Sequence, residues 1–170
     1  MEDVKKTRVE SDLIGSREIS DECLYGVQTL RGIENFSISK YHLNEYPLFI
    51  NGLAMTKMAA ARANHELSLL TDEQFQAITQ ACREILEGRF HDQFPVDMIQ
   101  GGAGTSTNMN ANEVIANRAL EIMGHAHGDY AFCSPNDHVN CSQSTNDAYP
   151  TAIHLGMYAT HLNHVYRELI

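Results

Sequence analysis

Apolar residues after Pro47 recur with the spacing of an amphipathic helix, in a segment rich in Ala and Met. The positions that follow this spacing are Leu53, Ala60, Ala63 and Leu67. Pro47 suits the first turn of a helix, because the N–H that proline lacks would have no partner there. The pattern therefore predicts a helix from Pro47 to about Leu70.

A second helix is predicted directly after the first. Thr71 and Gln74 match the capping-box pattern T-x-x-Q, in which each side chain accepts a hydrogen bond from a free backbone N–H at the helix start. Gly88 is a typical residue at a helix end. The apolar stripe between these signals consists of Phe75, Ile78, Cys82 and Ile85.

A third helix is predicted from about Asn108 to Met123, after a polar loop at residues 91–107. Gly124 ends it. Its predicted buried face consists of Val114, Ile115, Ala119 and Ile122.

A second polar loop, residues 124–146, leads into a fourth helix near Asp147, with Pro150 in its first turn. The helix has no stop signal before Ile170, and its apolar face has no later partner in the chain. We therefore expect a chain cut within a larger helical architecture. The apolar residues that recur on this face are Leu155, Tyr158, Leu162, Tyr166 and Leu169.

The N-terminal part of the chain has weaker patterns. Residues 8–19 are mixed in character and broken by Gly15, which predicts a small β-hairpin or an irregular arm. Residues 25–36 are interrupted by Gly26 and Gly32 and are predicted to hold one helical turn. The predicted fold class is mainly α, with a small N-terminal β-hairpin or arm followed by a helical domain.

The charge balance is acidic, with 12 Lys and Arg against 22 Asp and Glu and a formal net charge of -10. This argues against a nucleic-acid partner, because phosphate backbones need a basic surface. No apolar stretch is long enough to predict a membrane span, and the first 12 residues lack the apolar core of a secretory signal. The four cysteines match no zinc pattern, so the sequence predicts a cytoplasmic protein with reduced cysteines.

Two loops rich in hydroxyl and amide residues, at 101–110 and 134–147, each run into a predicted helix N-terminus. Side-chain donors, free backbone N–H groups and the positive end of a helix dipole together favour an anion. Neither Lys nor Arg occurs between Arg118 and Arg167, so any positive charge is expected from elsewhere. Two such loops suit the two ends of a dicarboxylate, or one carboxylate gripped from two sides.

Other interpretations of these residues remain open. Ser, Thr and Asn before a helix are also what capping alone selects. The first loop lacks the lysine of a phosphate-binding P-loop, so nucleotide binding is weakly indicated. His161 and His164 have the i, i+3 spacing of some helical zinc ligands, but no third ligand is evident, and no metal or cofactor is predicted.

Three long segments, in order, resemble the aspartase/fumarase superfamily over essentially the whole chain. These are RVESDLIGSREISDECLYGVQTLRGIENF, GGAGTSTNMNANEVIANRALEIMG and SPNDHVNCSQSTNDAYPTAI. Class II fumarases typically have W-G-A-Q-T-Q-R, G-T-Q-S-N-M-N and H-P-N-D at three of the matching places and Ser-Ser-Asn at the fourth. The corresponding segments here are YGVQTLR from Tyr25, GTSTNMN from Gly104, SPND from Ser134 and STN from Ser144. All four are closer to the aspartase branch. Ser134 itself matches neither branch well, which leaves any second-site role of its loop unsupported.

The resemblance implies a reversible elimination of L-aspartate to fumarate and ammonia through an aci-carboxylate intermediate. It implies that Thr105, Ser144 and Thr145 donate hydrogen bonds to the substrate carboxylate and that Asn146 positions the amino group. The family's general base is a serine in a glycine-rich loop expected downstream of Ile170, so no catalytic base is expected within this chain, and the 170 residues alone should be inactive.

The resemblance also implies a homotetramer in which each active site combines loops from three subunits. Residues 1–146 would form the N-terminal lyase domain, and 147–170 the first helix of the central bundle. We expect 1–146 to be the stable unit, with the last helix either self-associating or poorly ordered. A class II fumarate hydratase and a non-enzymatic helical interaction module remain as alternatives.

Overall fold

The computed structural model describes residues 6–162, which form a two-stranded sheet and five main helices. This confirms the predicted mainly helical fold with a small N-terminal β-hairpin. Short helical turns occur at Leu43–Glu45, His91–Gln93 and Pro135–Val139. The main elements are β1 (Thr7–Asp12), β2 (Gly15–Ser20), α1 (Val27–Asn35), α2 (Pro47–Glu66), α3 (Asp72–Leu86), α4 (Thr105–Ile122) and α5 (Thr145–Thr160).

The N-terminal hairpin is antiparallel, with Thr7 opposite Ser20 and Asp12 opposite Gly15. The Asp12 carboxylate accepts hydrogen bonds from backbone N–H groups of the turn and pairs with Arg31 at 2.7 Å. This ion pair fastens the hairpin to α1, which is a nine-residue helix rather than the predicted single turn.

The N-terminus of α1 is capped by a residue distant in sequence, which explains why local patterns underestimated this helix. The buried Glu113 carboxylate on α4 accepts hydrogen bonds from the N–H groups of Gly26, Gln28 and Thr29, at 2.8–2.9 Å. An anion at a helix N-terminus also interacts favourably with the helix dipole. Burial raises the pKa of Glu113, while its hydrogen bonds from α1 favour the charged form.

The capping box between α2 and α3 is confirmed. The Thr71 hydroxyl accepts from the N–H of Gln74 at 3.2 Å, and the Gln74 side chain accepts from the N–H of Thr71 at 3.1 Å. Helix α2 ends at Glu66, earlier than the predicted end near Leu70, and Ser68 then adopts a positive φ of 59°. A left-handed residue cannot continue a right-handed helix, so the chain turns here.

Helix α4 lies in the core, and Val114, Ile115 and Ala119 are fully buried as predicted. Ile122 is 38% exposed, so its predicted burial is wrong. The helix begins three residues before the predicted start. Gln100 accounts for the extension, because its side chain pairs with both the backbone N–H and the hydroxyl of Thr107.

Helix α5 packs on α2 through small residues that the apolar pattern did not identify. A Cβ on Gly52 would overlap the backbone carbonyl of Ala152, and one on Gly156 would lie 3.1 Å from the carbonyl oxygen of Leu48. The contact at Gly52 excludes any side chain, and the contact at Gly156 is tighter than most Cβ contacts. The packing gives α5 a partner earlier in the chain, whereas the sequence predicted only that its apolar face has no partner later in the chain.

The predicted apolar stripe of α5 lies away from this contact. Tyr158 is 64% and Leu162 42% exposed, and Leu155 is partly buried. Tyr166 and Leu169 lie outside the described residues. The domain division at residue 146 stays a prediction, although the buried contact between α5 and α2 crosses it.

Within residues 6–162, none of the helices is both long and apolar enough to span a membrane. All four cysteines of this part of the chain are unpaired, with Cys82 and Cys133 buried.

Candidate functional site

The two polar loops meet where α4 and α5 begin. Asn108, in the first turn of α4, donates a hydrogen bond from Nδ2 to Oγ1 of Thr145 at 3.2 Å. Tyr149, in the second turn of α5, lies directly against the backbone of Gly104, the residue before α4. The positive ends of two helix dipoles are therefore neighbours.

The start of α4 offers free donors. Gly104 adopts a left-handed φ of 86°, and Thr105 follows as the first helical residue, with an exposed side chain. Within residues 6–162, no hydrogen bond uses the N–H groups of Thr105 and Ser106 or the Thr105 hydroxyl. These groups are free to donate to an anion.

The start of α5 adds two more hydroxyls. Ser144 is the N-cap, and its Oγ accepts from the N–H of Asn146 at 3.2 Å. Thr145 Oγ1 accepts from Asn108, so both hydroxyls act as acceptors toward the protein and keep their own protons. The Asn146 side chain is exposed beside them. The structure thus brings the sequence-predicted residues of α5 next to the α4 start.

A buried lysine lies beneath these helix starts. Lys57, on α2, is 0% exposed, and its Nζ lies 2.7 Å from Asn108 Oδ1, 2.9 Å from Asn140 Oδ1 and 3.0 Å from Gln143 Oε1. The sequence lacks Lys and Arg between Arg118 and Arg167, and the nearby positive group comes from another part of the chain. Lys57 Nζ lies one amide away from Thr145.

The charge on Lys57 has no carboxylate partner among the ion pairs of residues 6–162. Burial lowers the pKa of Lys57 to about 7, whereas the three amide oxygens around Nζ favour the ammonium. Burial raises the pKa of the Cys82 thiol to about 12, so this group is not a thiolate partner for Lys57 at neutral pH. In the ammonium form, which dominates below the pKa of about 7, Lys57 therefore makes the local field at the two helix starts positive.

Sequence reasoning missed Lys57, although a signal was present. Leu53, Lys57, Ala61 and Asn64 follow helical spacing on α2, and all four are buried. A lysine between apolar neighbours on one helical stripe indicates a buried cation. Asn108, Asn140 and Gln143 were also missed, because hydroxyl and amide residues in a loop carry no sign of which ones turn inward.

The Ser134 part of the second loop uses its polar groups internally. Ser134 Oγ accepts from the N–H of Asp137 at 3.1 Å, and the Ser134 N–H donates to His138 Nδ1 at 2.7 Å. These contacts hold the helical turn Pro135–Val139. Capping alone therefore accounts for Ser134 in this structure.

The histidines do not assemble a metal site in the part of the chain that the structure describes, where no group of three potential ligands is found. His154 and His161 are exposed on α5, and His164 lies outside the described residues. His127 pairs with Glu121, and His125 stacks on Phe132. These contacts account for His125 and His127.

Comparison with known proteins identifies the family. A family model described as "Lyase" matches residues 15–170. The chain belongs to this lyase family. It is 60% identical over 151 residues to an aspartate ammonia-lyase of Helicobacter pylori strain J99, and the match covers 89% of this chain and 32% of that protein. The lyase chain thus spans about a third of the length of the curated relatives it matches.

Solved structures agree with this family. The lyase chain is 52% identical, with a TM-score of 0.90, to a Brucella melitensis protein described as fumarate lyase:delta crystallin bound to cobalt, over 92% of this chain and 34% of that one. It is 36% identical, with a TM-score of 0.80, to class II fumarase from Schistosoma mansoni, over 92% and 33%. The resemblance read from the sequence, to the aspartase branch of the superfamily, is confirmed.

Proposed function

We propose that this chain forms part of the substrate site of an aspartate ammonia-lyase, which converts L-aspartate reversibly to fumarate and ammonia. One observation carries the proposal. The hydroxyls of Thr105, Ser144 and Thr145 have no acceptor among residues 6–162 and lie at two neighbouring helix N-termini. The relatives named aspartate ammonia-lyase support the choice of substrate.

The chemistry requires such donors. Removing a proton from the carbon beside the side-chain carboxylate pushes a further negative charge into that carboxylate, giving an aci-carboxylate. The site must bind this species better than the ground state. Preorganised neutral donors are suited to this role, and each is worth up to about 3–4 kcal/mol in comparable oxyanion holes.

The proposed roles follow from the positions of the side chains. Thr105, Ser144 and Thr145 donate to the carboxylate that gains charge, and Asn146 positions the amino group. Lys57 lies behind Thr145 without reaching the surface, so it contributes field rather than a direct contact. The proton-abstracting serine, by resemblance to the family, belongs to a glycine-rich loop outside these residues.

The proposal extends to the assembly and its setting. By the same resemblance, we expect a cytoplasmic homotetramer whose active sites combine loops from three subunits. The expected inactivity of the 170-residue chain alone follows from this arrangement, because the described residues hold donors but no assigned base.

The test uses the complete gene product that contains these residues. With L-aspartate it should produce the ultraviolet absorbance of fumarate together with ammonia, and with L-malate it should produce no fumarate. D-aspartate is the matched control, because it offers the same groups in the wrong geometry. Fumarate from L-malate but none from L-aspartate would assign the protein as a hydratase, and turnover of neither would favour an interaction module.

A further inference from the structure

We propose that Lys57 is a positioning residue for the substrate site, acting through Asn108 to keep the Thr145 hydroxyl proton directed at the ligand. The identity of the ligand rests on the proposed function, whereas the hydrogen bonds that link Lys57, Asn108 and Thr145 are observed among the described residues. It adds a cation and a hydrogen-bond relay to a site that otherwise consists of neutral donors.

The first step is the orientation of the Asn108 amide. A lysine ammonium has three donors and no acceptor, and three amide oxygens lie within 3.0 Å of Nζ. Asn108 Oδ1, at 2.7 Å, must therefore face Lys57. This fixes the side-chain amide in one of its two possible orientations, with Nδ2 on the opposite side.

The second step follows from that orientation. The Nδ2 group has two N–H bonds, which donate to Asn140 Oδ1 at 3.1 Å and to Thr145 Oγ1 at 3.2 Å. Because Thr145 Oγ1 accepts this bond, its own O–H points elsewhere. No acceptor for that proton exists among residues 6–162, so the O–H is available to a ligand carboxylate.

The third step is electrostatic. No carboxylate in the described part of the chain pairs with Lys57, so the charge of its ammonium form is not neutralised locally. Successive hydrogen bonds whose donors all point in the same direction polarise one another in a low-dielectric interior. The relay from Nζ through Asn108 to Thr145 therefore strengthens the last donor, the one that meets the ligand.

The experiment separates this relay from a merely structural role. Asn108→Asp keeps the oxygen that faces Lys57 but removes both N–H donors, and the new carboxylate would capture the Thr145 proton. In the complete gene product, this variant should fold and lose roughly tenfold to a hundredfold in kcat on L-aspartate, the range typical of lost supporting hydrogen bonds. Asn35→Asp, the same change at an exposed position on α1, is the matched control and should keep wild-type kcat.

A double-mutant cycle tests whether Lys57 acts through Thr145. Lys57→Met should lower kcat over a similar range in the wild-type background, but by less than about twofold when Thr145 is already Val. Equal losses in both backgrounds, or wild-type kcat in Asn108→Asp, would overturn the relay.

A second readout does not depend on activity. In the complete gene product with only asparagine and threonine isotope-labelled, Lys57→Met should shift the NMR resonances of the Asn108 side-chain amide and the Thr145 backbone amide. The Asn110 side-chain amide, which donates to Gln93 O, should not move. If wild-type protein fails to turn over L-aspartate, the proposed function fails while these shifts still decide the relay. Unchanged Asn108 resonances would refute it.

Discussion

The backbone of Gly104 lies directly under the ring of Tyr149, so a Cβ at position 104 would overlap that ring. This contact joins the residue before α4 to the second turn of α5. Together with the hydrogen bond from Asn108 to Thr145, it sets the two helix starts side by side. The candidate substrate site therefore depends on a glycine for its shape as well as on hydroxyls for its chemistry.

Gly104→Ala should destabilise the chain by about 2–5 kcal/mol, because it adds both an unfavourable positive φ and a clash with Tyr149. Gly124→Ala is the matched control. Gly124 has a similar φ of 81° with open space around it, so alanine there costs only the free energy of the unfavourable positive φ. Chemical denaturation of both variants measures the difference. Equal losses would show that the contact with Tyr149 is not restrictive.

Gly52→Ala should also destabilise, by about 1–3 kcal/mol, although alanine normally stabilises a helix interior. The new Cβ would meet the backbone carbonyl of Ala152, which cannot move without displacing α5. Hydrogen exchange should show faster opening of α5 in the variant. Wild-type exchange rates in α5 of the Gly52 variant would contradict this.

Glu113→Gln should cost about 2–3 kcal/mol of folding stability, since it removes one of the two carboxyl oxygens that accept four hydrogen bonds at the α1 N-terminus. Glu121→Gln, at a partly exposed ion pair, should cost less than about 1 kcal/mol. Thermal unfolding of the two variants checks the contrast. A Glu113 variant as stable as the Glu121 variant would show that the cap contributes little.

Thr105→Ala and Ser144→Ala should each lower turnover of L-aspartate roughly tenfold to a thousandfold in the complete gene product. The lost hydroxyls would no longer stabilise charge in the transition state. Thr151→Ala is the control, because its exposed hydroxyl donates only to the backbone of α5. Steady-state kinetics on all three variants, with melting temperatures, separate a chemical loss from the loss of the Ser144 cap. Wild-type turnover in the first two would reject the site.

The unfolding free energy should rise with pH between about pH 7 and pH 8.5, through Lys57. Burial lowers the folded pKa of Lys57 to about 7, while the unfolded chain keeps this proton up to about pH 10. The unfolded state therefore binds more protons in this window, which adds a slope of up to about 1.4 kcal/mol per pH unit.

Lys57→Met removes the titrating group, so its unfolding free energy should rise less steeply over the same window. Urea denaturation of both proteins at several pH values measures the two slopes. Parallel curves would show that Lys57 keeps an ordinary pKa in the folded chain.

Features that depend on local chemistry could be predicted from the order of the residues. The hairpin, the capping box at Thr71 and Gln74, the order of the helices and the two polar loops before α4 and α5 all follow from residues within a few positions of one another. The family motifs added the roles expected of Thr105 and Ser144. Helix caps and helical spacing are short-range effects, so a single sequence carries them.

The contacts between distant residues could not be predicted in this way and depend on how the helices pack. Glu113 caps a helix more than 80 residues away, α5 packs through glycines and alanines rather than through its apolar stripe, and Lys57 lies buried beneath the two loops. Each depends on which helices become neighbours and on how much water their contact excludes. Local residue spacing does not specify which helices are neighbours or how much water they exclude. The positive charge behind Thr145 is therefore seen only once α2, α4 and α5 are packed together.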